Sequence, residues 1–214
     1  MRCKRAVLFT YAAVILFFEI ARRLVNLYKL ESCDSFSLMH TLLPRPGCTI
    51  SCWLIIISAV VNKRAVYNVT AIIAVLCGFA FFVHPGAGFN NEYMLFENVY
   101  AIITHSLLFT ASVCCLTYGF TKFTLRGIWK DLLLLGVISG YVYWEICISG
   151  IEHDPFYFMP GSEIQTTLGL SYDAFICGYI AIVMFYVSLF YLIQRRTDNK
   201  RILKERMNKP FWIR

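Results

Sequence analysis

Apolar residues along this chain come in long runs, not in the alternation of a half-buried strand. The stretches near residues 6–28, 48–61, 69–84, 97–119, 131–149 and 172–193 are apolar almost throughout, with polar and charged segments between them. A run of about 20 mostly apolar residues is what a helix needs to cross a bilayer, so the pattern predicts six membrane-spanning helices. The second and third runs are short, which predicts helices that tilt little or borrow turns from their flanks. All six prolines (Pro44, Pro46, Pro85, Pro155, Pro160 and Pro210) fall between or after the runs, where a missing N–H breaks no helical hydrogen bond. Within the fourth run Asn98, Ala101, His105, Leu108 and Ser112 recur at helical spacing. That face is small and polar, so it is expected to turn into the bundle and away from lipid.

Composition agrees with the runs. Of 214 residues, 58% are hydrophobic and 15% charged, too few charges to coat a soluble globule of this length. The expected fold is therefore all-α: a polytopic bundle of about six transmembrane helices over residues 1–195, followed by a basic tail over 196–214. The opening MRCKR and the apolar run behind it have the look of a signal peptide. No small-residue cleavage site follows, and the segment continues into Glu19, Arg22 and Arg23. An uncleaved first helix is the expectation.

Charge orients the bundle, because basic residues in short loops stay on the cytoplasmic side. Arg2, Lys4 and Arg5 open the chain; Lys63 and Arg64, then Lys122, Arg126 and Lys130, mark alternate loops; eight more lie between Arg195 and Arg214. The intervening loops carry Glu31 and Asp34, Glu92 and Glu97, then Glu152, Asp154, Glu163 and Asp173. Both termini are expected to be cytoplasmic, in a plasma (inner) membrane if the source is bacterial, with the tail near anionic lipid headgroups. The net charge of +7 reflects this asymmetry, and basic and aromatic residues do not interleave as a nucleic-acid groove requires. Arg22 and Arg23 stand at the outward end of the first helix, against the charge rule. A Glu19–Arg23 pair at i, i+4 would soften that cost. Asn68-Val69-Thr70 matches a glycosylation sequon but sits beside an inward loop.

The stretch "LLPRPGCTISCW", residues 42–53, sets Cys48 and Cys52 one helical turn apart at the start of the second run. Cys48 has four possible uses: a disulfide with Cys33, a metal ligand, a nucleophile, or a small packing residue. No Cys or His pair nearby completes a zinc set, so neither metal nor any other cofactor is expected. Cys77, Cys114, Cys115, Cys147 and Cys177 lie inside apolar runs without regular spacing, as packing cysteines do. An ionisable group inside a bilayer is by default a functional candidate, and His105 is the histidine at depth. Cys48, His105, Glu145 and Glu19, from four helices, all fall in the outward half of the membrane. A thiol needs a base to become a thiolate, a histidine within hydrogen-bond reach supplies one, and a carboxylate behind the imidazole fixes its tautomer.

Leu43-Pro44-x-x-x-Cys48 resembles the Leu-Pro-Leu-His-Leu-Cys signature of the YwaF family of integral membrane proteins, with Arg45-Pro46-Gly47 departing in between. "LFFEIARRLVNLY" resembles that family's glutamate-bearing helix, and "YNVTAIIAVLCGFAFFVHP" and "FENVYAIITHSLLF" resemble its next two helices. The likeness runs from about residue 5 to about residue 195, and "EHDPFYFMPGSE" departs from the family's pattern after the fifth helix. The family is similar to a eukaryotic membrane acyltransferase acting on phospholipids through a cysteine and a histidine. The resemblance implies Cys48 as nucleophile, His105 as base, and a place for Glu19 without a stated role.

The expected function is thus transfer or hydrolysis of lipid acyl groups through an acyl-cysteine, with membrane lipids as the partners. Gly47, Asn98 and Ser112 are the substrate-pocket candidates, and the loop from Asp154 to Ser162 is a candidate lid or an interfacial aromatic belt. The alternative is a non-enzymatic membrane subunit or small-solute transporter, in which His105, Glu19 and Glu145 line a polar pocket and Cys48 only packs.

Overall fold

The computed structural model describes residues 2–29, 38, 41–44, 47–83, 95–149, 160–161 and 163–207. Among the described residues there are seven helices and no strand: α1 (Arg2–Tyr28), α2 (Gly47–Val61), α3 (Arg64–Val83), α4 (Phe96–Thr117), α5 (Ile128–Ser149), α6 (Glu163–Leu168) and α7 (Tyr172–Met207). The all-helical class is as expected. Two compact units share the chain, one of Met1–Thr121 with Lys130–Phe156, the other of Lys122–Trp129 with Tyr157–Arg214.

Among the described residues two helical segments are long and apolar enough to cross a membrane, Asn98–Thr117 and Tyr172–Arg196, while Cys48–Val61 and Arg64–Phe79 are apolar but shorter. The third predicted span begins five residues earlier than its apolar run, at Arg64. Polar residues there are held inside the helix by tertiary contacts: Asn68 is 2% exposed, and its Nδ2 donates to the buried Asp131 carboxylate of α5 at 2.8 Å. A sequon asparagine held in this way is closed to modification in the folded chain.

In the first unit α1 to α4 share one core of Leu8, Ala12, Ile15, Ile55, Leu108 and small residues such as Ala59, Ala71, Ala74 and Ala111. Small side chains let helix backbones approach closely. One close approach is at Gly78 of α3, where an added Cβ would sit 2.9 Å from both the backbone nitrogen and the Cβ of Phe109 on α4. A two-residue turn joins α2 to α3. Asn62 takes φ of 53° there, a left-handed conformation that Asn tolerates better than most residues. Its N–H returns to Ser58 O at 3.1 Å, and Tyr67 Oη donates to its side-chain carbonyl at 3.1 Å.

Polar pairs fix the α2–α3 register. Ser51 Oγ donates to Cys77 Sγ at 3.4 Å, and Ser58 and Thr70 hydroxyls meet at 2.7 Å. Seven residues along α2 therefore match seven back along α3. Between α3 and α4, Tyr67 stacks on Phe120 at 5.2 Å and Phe81 stacks on His105 at 4.1 Å. Lys4 Nζ of α1 donates to Tyr118 O beyond the end of α4 at 3.3 Å, so α1 and α4 also run antiparallel. The start of α1, the α2–α3 turn and the end of α4 gather at one end of the bundle, and the start of α2 and of α4 at the other.

In the second unit Phe123 packs on Phe190 and Tyr191 of α7, at ring separations of 5.4 and 5.3 Å. Helix α7 runs through Arg195 and Arg196 to Met207 without a break, so the basic tail begins as its continuation. Helix α6 lies in what the hydrophobic pattern marks only as a long loop. Gln165 stabilises it locally, accepting from Gly161 N at 2.8 Å and donating to Leu170 O at 3.1 Å. Gly169, with φ of 63°, ends it.

Candidate functional site

Glu19 is 0% exposed, so its charge has to be met inside the protein. Arg23, one turn along α1, donates to its Oε2, and Tyr100 of α4 donates to its Oε1. Arg22 stands 3.9 Å from Oε2 with its guanidinium 5.2 Å from the Tyr100 ring centroid. The expected i, i+4 pair thus forms, and it is the middle of a larger buried group. Arg23 is 9% exposed; its Nε donates to Leu42 O and its Nη1 to Glu19 O, each at 3.1 Å. Its guanidinium carbon lies 5.2 Å from the centre of the Trp53 ring on α2. Buried Cys52 and half-buried Cys48 of α2 lie within electrostatic reach of Arg22 and Glu19.

Cys48 is a free thiol in the first turn of α2. Cys33, its possible disulfide partner, lies outside the described residues, as does most of the Asp154–Ser162 segment. The first-turn N–H groups of a helix have no acceptor within it, so the backbone of Cys48 and Thr49 offers donors at this position. Gly47 begins the helix immediately before it. Glu145 belongs to α5, and its side chain lies outside the described residues.

His105 is anchored by its own helix. Nδ1 lies 2.7 Å from Ala101 O. A carbonyl only accepts, so Nδ1 carries the proton and Nε2 of the neutral ring is left as the acceptor. Phe81 covers one face of the ring at an interplanar angle of 13°. The α2–α3 register brings Cys48, three residues before Ser51, level with Ala80, the residue before Phe81. Cys48 and His105 therefore approach the same level of the bundle from α2 and α4. Among the described residues no hydrogen bond joins them. Glu19 belongs to the arginine and tyrosine group, and no described contact puts it behind the imidazole.

Of the predicted inward face of α4, Asn98, Leu108 and Ser112 are buried and Ala101 and His105 half-buried, while Tyr100, Thr104, Ala111 and Cys115 are buried beside them. Its polar groups serve the helix: Asn98 Oδ1 accepts from Leu95 N at 3.2 Å and Ser112 Oγ donates to Phe109 O at 2.7 Å. Sequence reasoning missed Tyr100 and Trp53 as members of the site. The signal for the group was the pair of arginines at the end of α1 where the charge rule expects none. Among the described residues no cluster of His, Cys, Asp and Glu is arranged to hold a metal ion. No protein-family model, curated relative or solved structure matches the chain.

Proposed function

We propose that the chain is a multi-pass membrane protein with both termini cytoplasmic, which transfers or hydrolyses lipid acyl groups with Cys48 as nucleophile and His105 as base. The observation that carries the reading is the Nδ1–H bond of His105 to Ala101 O, which holds the ring in the tautomer that accepts a proton at Nε2. The shared level of Cys48 and His105, and the resemblance of their surroundings to the YwaF family, support it.

In the first half-reaction Nε2 takes the thiol proton as sulfur attacks the acyl carbonyl. The C–S bond forms, the ester C–O bond breaks, and the imidazolium returns its proton to the leaving alcohol. In the second half an acceptor hydroxyl or water attacks the thioester, its proton passes to Nε2, and the thiol is restored by that proton. First-turn amides of α2 are suited to hold the carbonyl oxygen while it carries charge. The basic residues of α7 beyond Arg195, facing anionic headgroups, anchor the cytoplasmic side.

Groups that act as one catalytic unit are strongly non-additive. Cys48→Ser and His105→Gln are each expected to remove most acyl transfer, by about 10²-fold or more, and the double variant to be little worse than the worse single. Cys177→Ala, at an exposed thiol of α7, is the neutral control. Cys52 does not serve, because it is buried in the core shared by α1 to α4. Full activity in Cys48→Ser, or defects that multiply, would sink the mechanism. The alternative, a non-enzymatic membrane subunit or transporter in which Cys48 only packs, is favoured by the absence of a Cys48–His105 hydrogen bond among the described residues. Selective labelling of Cys48 over the other thiols by a lipophilic cysteine probe distinguishes the two.

A further inference from the structure

An arginine side chain carries five N–H donors and no acceptor, and an indole carries one donor and no acceptor. Arg23 spends Nε on Leu42 O and Nη1 on Glu19. Among the described residues its Nη2 is buried without a partner, and so is Nε1 of Trp53, whose ring the same guanidinium covers. A buried donor left unmet destabilises the fold, and more so when it is charged. The Glu19 oxygens bond Tyr100 Oη and Arg23 Nη1 and reach neither orphan donor. Two neighbouring orphan donors, one of them cationic, sit on separate helices, α1 and α2, and require acceptor oxygens that the described residues do not supply.

We infer that Arg23 Nη2 and Trp53 Nε1 form a binding site for a phosphate oxyanion. A guanidinium edge suits phosphate oxygens and holds its charge at any physiological pH. A tetrahedral phosphate also has an oxygen to spare for a second donor such as the indole N–H. Phosphate reaches such a site either as the headgroup of a glycerophospholipid or as the free ion. The inference goes beyond the acyl-transfer reading, because it requires nothing of Cys48.

The test is isothermal titration of the full-length protein in dodecyl maltoside with three probes: di-O-hexyl phosphatidic acid, the phosphate-free di-O-hexyl glycerol, and sodium phosphate. The ether probes have no acyl ester, so binding is read without turnover, and failure of the cysteine mechanism leaves the result intact. The phosphate-bearing ether lipid should bind saturably and the phosphate-free one at least about tenfold more weakly, a difference of about 1.4 kcal/mol. Arg23→Gln and Trp53→Phe should each weaken the former by about tenfold. Trp53→Phe keeps the ring beneath the guanidinium and the Arg23–Glu19 pair, so it decides the matter if Arg23→Gln does not elute as a folded species. Sodium phosphate binding as tightly as the ether lipid would assign the free ion as the ligand, and lipid-only binding would assign the headgroup. Unchanged affinity in Trp53→Phe, or equal binding of the phosphate-free ether, would overturn the site.

Discussion

At Glu19 a carboxylate without exposure is held between a tyrosine of α4 and a guanidinium of its own helix. Removing one partner of a buried ion pair leaves the other charge uncompensated, at a cost of about 3–5 kcal/mol. A hydroxyl crossing between helices in a membrane protein contributes less, about 0.6–1.7 kcal/mol. Glu19→Gln should therefore lower the thermal midpoint in detergent well below that of Tyr100→Phe. Equal shifts would mean that the ion pair does not hold α1. The Glu19–Arg23 half of this group was legible, because i, i+4 spacing on a helix is a local fact. Tyr100 was not, because it meets Glu19 from 81 residues away. His105 was legible as an inward polar residue, but its tautomer follows from a carbonyl bond that spacing alone does not assign.

Among the helices, α3 and α4 come close at Gly78, which fixes the sign of a pair of glycine substitutions. Gly→Ala within a helix gains about 1 kcal/mol from propensity, whereas forcing a methyl into a filled contact costs about 1–3 kcal/mol. At Gly78 the contact term wins, because backbone of Phe109 stands in the way. At Gly140 of α5 nothing lies within 4 Å of the added carbon. Gly78→Ala is thus expected to lower stability and Gly140→Ala to raise it slightly, both read as thermal midpoints; a stabilised Gly78→Ala would refute the close crossing. Helix boundaries were readable where a turn signal bounds an apolar run, as Gly47 and Asn62 bound α2. They were missed where a polar residue is satisfied at a distance, as Asn68 is by Asp131, and where a polar stretch closes its own turn, as α6 does around Gln165.

For the whole molecule, contacts along the chain divide it into two compact units. That division depends on which residues meet, and hydrophobic periodicity does not record it. The two helices of full spanning character, Asn98–Thr117 and Tyr172–Arg196, lie one in each unit. At a rise of about 1.5 Å per residue the 25 residues of the second reach about 37 Å, more than the roughly 30 Å hydrocarbon core. Ile182, Phe185 and Ile193 are exposed along it, as lipid-facing residues would be. On the multi-pass reading, a reporter fused after Arg214 is expected to be active only in the cytoplasm; extracytoplasmic activity would reverse the topology. The two-residue turn at Asn62 and Lys63 bears on how such a chain is made. Helix α2, at 15 residues, reaches only about 22 Å, and its serine hydroxyls find their partners in α3. The insertion machinery would then have to accept the hairpin as a single cargo. A nascent chain arrested at Asn62 should leave α2 poorly retained in the bilayer, and one extended past Val83 should anchor it.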